Sequence, residues 1–363
     1  MWRCTGPRWS LEGEAGGERR FRQGLGGYCA ERGAERVSAL PAGKRLAFSV
    51  VGERRCLGVR RGGRRIVCPY EAVITGTAAR DQCEACARLD RSRSVAADTM
   101  ADDPRPYGVY LAYFGPGLVK VGITAAERGA ARLVEQGAVA YAWLGRGPLM
   151  AARRAEAVLG SALAVPDRFA KEAKRAARGA LPAVAERRAE LAELHARARG
   201  LPGWPETLEP VGFAFGDHTE LFGLDRIPAD AAELGAMTAD AEVVGEVLTG
   251  VGADVYVRIR VSGVSAVSPG ASASPASPVF PGGAVPSAPP ASGAAGAGGG
   301  PVRSGGMDGV GEVVAVLDAR LLSGWVLGAA RGGVTTVPVR EAPYGRGARR
   351  GGAEGEGGQE GLF

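Results

Sequence analysis

Two alternating runs, residues 109–114 and 118–124, flank Gly115-Pro116-Gly117, and this arrangement predicts a β-hairpin. With Phe114 opposite Leu118, the register sets Tyr110 opposite Gly122 and Lys120 diagonally beside it. Period two then gathers Tyr110, Lys120, Gly122 and Thr124 on one face. The other face carries Val109, Leu111, Val119, Val121 and Ile123, an apolar underside for helices. A helical stretch follows, with Thr124 placed to cap it and with Arg128 and Arg132, four apart, on one side. Residues 139–144 read as a third strand. Helical spacing then returns, with Leu149, Ala152, Leu159 and Leu163 as a buried stripe. Glu156 falls inside that stripe, where a carboxylate requires a cation or a donor.

Elsewhere the pattern is shorter in period. Residues 46–51, 66–68, 72–74, 243–261, 311–317 and 321–327 read as strands. Residues 263–306 are Ser, Ala, Pro and Gly with almost no charge, which predicts a disordered linker inserted within one small β unit. The segments expected are therefore six. Residues 1–45 form a basic, Gly- and Arg-rich N-terminal segment, 46–95 a cysteine-bearing module, and 104–200 an αβ core with trailing helices. Residues 201–262 and 307–345 form a C-terminal β-rich unit, 263–306 the linker, and 346–363 a disordered tail. The class is α+β.

Four cysteines change the picture for residues 46–95. Their spacing, Cys56-x11-Cys68-x14-Cys83-x2-Cys86, ends in a tight pair able to close on one tetrahedral metal ion. A hairpin turning at Gly62-Gly63 returns Cys56 and Cys68 to that pair, and the arginines nearby favour thiolates. A structural Zn²⁺ in a zinc-ribbon-like β module is the expectation; buried free thiols and a redox CxxC are the alternatives. Cys4 and Cys29 read as bystanders.

Charge adds a direction. The 363 residues carry a formal +6, but residues 1–65 alone carry +9 and residues 209–262 carry −7. A basic front half suits a polyanion, so nucleic acid (DNA or RNA) is the expected partner. Residues 164–178 add Arg168, Lys171, Lys174, Arg175 and Arg178, read either as sequence-blind phosphate contacts or as a solvated face. Residues 183–199 alternate charges around Leu191 and Leu194 and read as an exposed helix with His195 incidental. His218 falls in a loop, and two histidines support no His-based metal site or triad. Without an apolar leader or a run near the ~20 residues of a membrane span, no membrane association is expected and the location is read as cytoplasmic.

The string GVY…KVGIT…R-L-x-E…RRAEAVL resembles the GIY-YIG nuclease superfamily over residues 107–165. That resemblance implies a core of three antiparallel strands with flanking helices. It implies Tyr110 near an attacking water, Arg132 (or Arg128) on the scissile phosphate, and Glu156 on one Mg²⁺ or Mn²⁺. Gly122 matches the YIG glycine, whereas Lys120 stands where the superfamily has its second tyrosine. Lysine there grips phosphate as a point charge, polarises Tyr110, or marks a site that binds without cutting. Features from WRCTGP through GERRCLG and ADDPRPY to LLSGW also resemble an uncharacterised bacterial family, domain of unknown function 2797. The function expected is a zinc-stabilised nucleic-acid-binding protein, either a metal-dependent endonuclease or a non-enzymatic binding or scaffold module on the same fold.

Overall fold

The computed structural model describes residues 1–13, 20–61, 64–78, 80–91, 103–166, 168–262 and 310–341. The predicted linker, the predicted tail and the Gly62-Gly63 turn lie outside the described residues. The chain begins with β1 (Trp2–Glu12), β2 (Arg20–Cys29), β3 (Ala34–Ala39) and β4 (Arg45–Val51). A small hairpin, β5 (Val59–Arg61) with β6 (Arg64–Ile66), and α1 (Glu84–Arg91) follow. The next unit runs β7 (Tyr107–Tyr113), β8 (Val119–Ala125), α2 (Ala131–Gln136), β9 (Ala140–Gly147), α3 (Leu149–Ala162), α4 (Lys171–Arg178) and α5 (Val184–Gly200). After β10 (Glu209–Pro210), β11 (Gly216–Asp217) and α6 (Thr219–Phe222) come β12 (Ala232–Leu234), β13 (Glu242–Val251) and β14 (Asp254–Ser262). The described chain closes with β15 (Val310–Asp318), β16 (Val326–Ala329) and β17 (Val339–Arg340).

The fold is mixed α+β and rich in strand. Ten strands join in one sheet, ordered β17-β12-β15-β14-β13-β4-β16-β1-β2-β3, antiparallel throughout except between β12 and β15. The C-terminal β unit is thus larger than the pattern suggests, because β1–β4 belong to its sheet. β4, expected beside the cysteines, instead pairs β13 and β16, with Phe48 opposite Val243 and Val50 opposite Leu327. Its alternation explains this: Leu46, Phe48 and Val50 are buried with Val243, Val257, Leu317 and Trp325. β2 escapes detection because Gly24, Gly26 and Gly27 dilute its apolar signal, yet it pairs β1 along its length and β3 from Gly24 to Cys29. At the far side β14 pairs β15 from Asp254–Asp318 to Ser262–Val310, so residues 263–309 join two paired strands.

The second sheet is ordered β10-β9-β7-β8, with β11 also on β9. Its hairpin has the predicted register, Tyr110 opposite Gly122 and Ala112 opposite Lys120. Val109, Leu111, Val119 and Val121 pack beneath it against Leu149, Ala152, Leu159 and Leu163 of the α3 region, and the same core continues into Val251, Tyr256 and Val316 of the large sheet. Two helices depart from expectation. β8 runs on to Ala125, so Thr124 is a buried strand residue rather than a cap, and a turn through Gly129 (φ 45°) delays α2 to Ala131. α5 is not an exposed helix: Arg187, Leu191, His195 and Ala198 are buried at helical spacing. Carbonyl oxygens and an acid meet its polar members. Arg187 donates to Pro182 O and Asp217, and His195 Nε2 lies 3.2 Å from the carbonyls of Trp143 and Val211.

Candidate functional site

Cys56 precedes β5, Cys68 follows β6, and Cys83 and Cys86 enter the first turn of α1. The hairpin and helix together bring all four sulfurs within 4.8 Å of one another. Cys68 Sγ and Cys83 Sγ are 3.9 Å apart, close to the roughly 3.8 Å separation that Zn–S bonds of about 2.3 Å impose in a tetrahedron. Gly58 makes the first turn possible. Its φ is +73°, and a Cβ there would lie 1.9 Å from Ile66 O. The N–H groups of Gly58 and Cys83 both donate to Cys56 Sγ, at 3.4 and 3.2 Å. Burial pushes the Cys56 and Cys86 thiols up, whereas in Cys68 it is outweighed by donors at Ala72 and Tyr70, which bring that thiol down to about 7. The donor set and the N–H bonds fit a structural metal ion such as zinc, and a redox pair leaves two of the four sulfurs without a role. Cys4 and Cys29 are buried free thiols outside the cluster. Burial pushes Cys4 up to about 11.

The cysteine module is fastened to the large sheet by Arg54, which is 1% exposed. Its Nε donates to Ser323 O and its Nη1 to Thr75 O and Ala78 O, at 2.8–2.9 Å. A buried guanidinium needs such acceptors.

On the second sheet the predicted residues fall as follows. The Tyr110 ring is buried across Gly122, where a Cβ would sit 2.6 Å from the phenol oxygen. Its ring edge meets Trp143 at 5.8 Å, and its hydroxyl accepts from Gln136 Nε2 at 2.8 Å. Burial raises the Tyr110 pKa; Gln136 and Arg132 pull against that, and Glu156 adds to it. Tyr110, Arg132 and Glu156 therefore share one electrostatic neighbourhood, with Glu156 half-buried on α3. Arg128 and Arg132 both pair with Glu135. Lys120 acts on Lys174 of α4.

Beyond Gln136 opens a cleft of about 660 Å³. β1 contributes Arg8 and Trp9; α2 and the turn before it contribute Arg128, Arg132, Glu135 and Gln136. α4 supplies Lys171, Lys174 and Arg178, and Phe169, the β13–β14 turn and Arg320 close the wall. Both carboxylates on this wall are engaged. Glu135 faces its two arginines, and Asp254 accepts from Arg175 and Arg178, which are buried. Burial opposes ionisation of Asp254, but the Arg178 and Arg175 charges hold it at about 2. Arg175 and Arg178 do not form a solvated face: both are buried and tie α4 to the large sheet. Lys174 makes no ion pair among the described residues. Its ammonium lies 3.8 Å from the centre of the Phe114 ring. Burial, then the charges of Lys120, Arg178 and Arg320, lower it to about 8.

Sequence reasoning missed Arg8, Trp9 and Arg320 as members of this wall. They come from a strand and a turn with no motif, and only the sheet order brings them beside α4.

No helix among the described residues is long and apolar enough to cross a membrane. A family model described as protein of unknown function (DUF2797) matches residues 43–262, more than half of the chain. The match takes in the cysteine cluster, the second sheet with its helices, and β13–β14. No curated protein and no solved structure matches.

Proposed function

The chain belongs to the DUF2797 family of proteins of unknown function, and on that footing we propose that it is a zinc-stabilised protein that binds the phosphates of nucleic acid in the basic cleft. One observation carries the reading: seven cationic side chains line the cleft against two carboxylates, and arginines already engage both. Such a surplus attracts a polyanion and releases its counterions on binding. Arg132 and Lys174 are the principal phosphate contacts, and Zn²⁺ held by Cys56, Cys68, Cys83 and Cys86 is structural. Zinc there fixes the loops that Arg54 joins to the large sheet, so its contribution is to the frame of the cleft rather than to chemistry.

The experiment is fluorescence anisotropy of labelled single- and double-stranded DNA and RNA against the full chain. Binding is expected to weaken steeply between ~50 and 200 mM salt, and Arg132→Ala and Lys174→Ala each reduce the steepness by about one counterion. Absence of binding at low salt to any of these would reject the proposal.

Phosphodiester hydrolysis is the second reading, favoured by the shared neighbourhood of Tyr110, Arg132 and Glu156. In it Glu156 holds Mg²⁺ or Mn²⁺ and Tyr110 sits near the attacking water. Against it stand the complete burial of Tyr110, its engagement by Gln136, and Lys120 at the second tyrosine position. Metal-dependent cleavage that is lost in Glu156→Gln supports hydrolysis; binding without cleavage leaves the non-enzymatic module.

A further inference from the structure

Lys174 occupies an unusual place in the cleft. It is half-buried, it rests on the Phe114 ring, and no carboxylate within ion-pair distance offsets it among the described residues. Three cations from three different elements act on it: Lys120 from β8, Arg178 from its own helix, and Arg320 from the turn after β15. Asp254 on β14 acts on it from the acid side while accepting from Arg175 and Arg178, and Asp318 at the end of β15 holds Arg320 and lies 3.9 Å from Lys171. Arg178 and Arg320 are held by Asp254 and Asp318, whereas Lys174 has no ion pair among the described residues, so a bound anion is the charge its partly desolvated place calls for. A phosphodiester brings one charge to such a point. A terminal phosphate brings close to two and adds acceptor oxygens.

Shape adds to charge. At about 660 Å³ the hollow falls in the ~300–1,000 Å³ range of small-ligand sites. Trp9 and Phe169 lie on its wall beside the cations, and aromatic faces accept bases without regard to sequence. We propose that the cleft receives a phosphate monoester or short phosphate chain, the end of a nucleic-acid strand or a free nucleotide, with Lys174 reading the additional charge. This rests on the phosphate-binding reading above.

Protonation supplies an independent signature. Lys174 stands at about 8 without ligand, and an anion raises it. Affinity for the terminal phosphate is therefore constant between about pH 6 and 8 and falls roughly tenfold per unit above that, until the ligand-bound value is reached. Below about pH 6 the phosphate dianion takes up one proton and affinity falls again.

The test compares 5′-phosphorylated and 5′-hydroxyl oligonucleotides of one sequence, with a nucleoside diphosphate as competitor, on the metal-loaded full chain. The phosphorylated strand is expected to bind at least ~10-fold tighter. Lys174→Met should abolish that advantage, and Lys174→Arg should keep it at pH 9 where the native protein loses it. Competition by the diphosphate at equal strength identifies a free nucleotide as the source; weak competition identifies a strand end. Equal binding of the two oligonucleotides overturns the inference and leaves backbone binding standing. Diphosphate binding without oligonucleotide binding supports the inference and rejects nucleic acid. No binding of any of the three rejects both.

Discussion

Gly122 carries no side chain because Tyr110 occupies the space one requires. Gly122→Ala drives a methyl group into the phenol ring, at a cost of about 1–3 kcal/mol in urea unfolding. That cost should shrink in a Tyr110→Leu background, since the two residues are coupled through one contact. A cost unchanged by removing the ring would show that the glycine serves the backbone instead. The cysteines make a second residue-scale prediction. Purified protein should carry about one Zn²⁺ per chain, and Cys86→Ser should lose the metal and lower the melting temperature. Metal-free protein with all four thiols intact and an unchanged melting temperature would exclude a structural role for the ion. Both sites were legible for the same reason: their partners lie near one another in sequence, across one hairpin or in a CxxC pair. Lys174 was not legible in the same sense. It stood among five basic residues of one segment, and what distinguishes it from Arg175 beside it is which distant strand each one meets.

Helices α4 and α5 show how charge patterns mislead at the level of an element. α4 reads as phosphate contacts or a solvated face and α5 as an exposed helix, yet Arg175 and Arg178 of the first and Arg187 of the second lie against the protein interior, where acids or carbonyls meet them. The α4 pairing makes a pH prediction. Asp254 is lowered to about 2 in the folded protein from an unfolded value near ~3.9. Its contribution is therefore fully present above pH ~4 and is lost as pH falls from there through about 2. Asp254→Asn should remove that acid-side loss. It should also destabilise the protein at pH 7 by about 3–5 kcal/mol, because Arg175 and Arg178 stay buried without their anion. Thermal unfolding across pH 2–7 measures both, and parallel profiles for variant and native protein would rule out this role. The hairpin, the third strand and α3 were readable because each carries its own periodicity. α2 was predicted too early because a strand that continues and a helix that begins share the same small apolar residues at Thr124 and Ala125.

For the whole molecule, the separation of basic front and acidic rear proves to be partly internal. Asp217, Glu233 and Asp254 of the acidic segment neutralise Arg187, Arg175 and Arg178 of the preceding helices, so part of that segment's charge is met inside the fold. The cleft's surplus is what remains afterwards. The segment between β14 and β15 bears on stability in a simple way, since Ser262 and Val310 are direct partners. Replacing residues 264–308 by a short Asn-Gly turn should leave the circular-dichroism spectrum unchanged and stabilise the fold by no more than roughly 2 kcal/mol, the loop-closure saving. A variant that fails to fold would assign those residues a structural part. The ten-stranded order itself was beyond sequence reading, because period-two patterns identify strands but not neighbours.

Strand β16 sits between β4 and β1. It is among the last strands of the chain, yet it joins the first three to all the rest. During synthesis β1 and β4 must therefore wait with open edges until residues 326–329 leave the ribosome. A chain cut short before Val326 presents two open strand edges, on β1 and β4, each a template for a second chain. The order thus works as a check on completeness: only a chain that runs past Ala329 can close this sheet, and earlier termination yields material for aggregation and proteolysis rather than a smaller working protein.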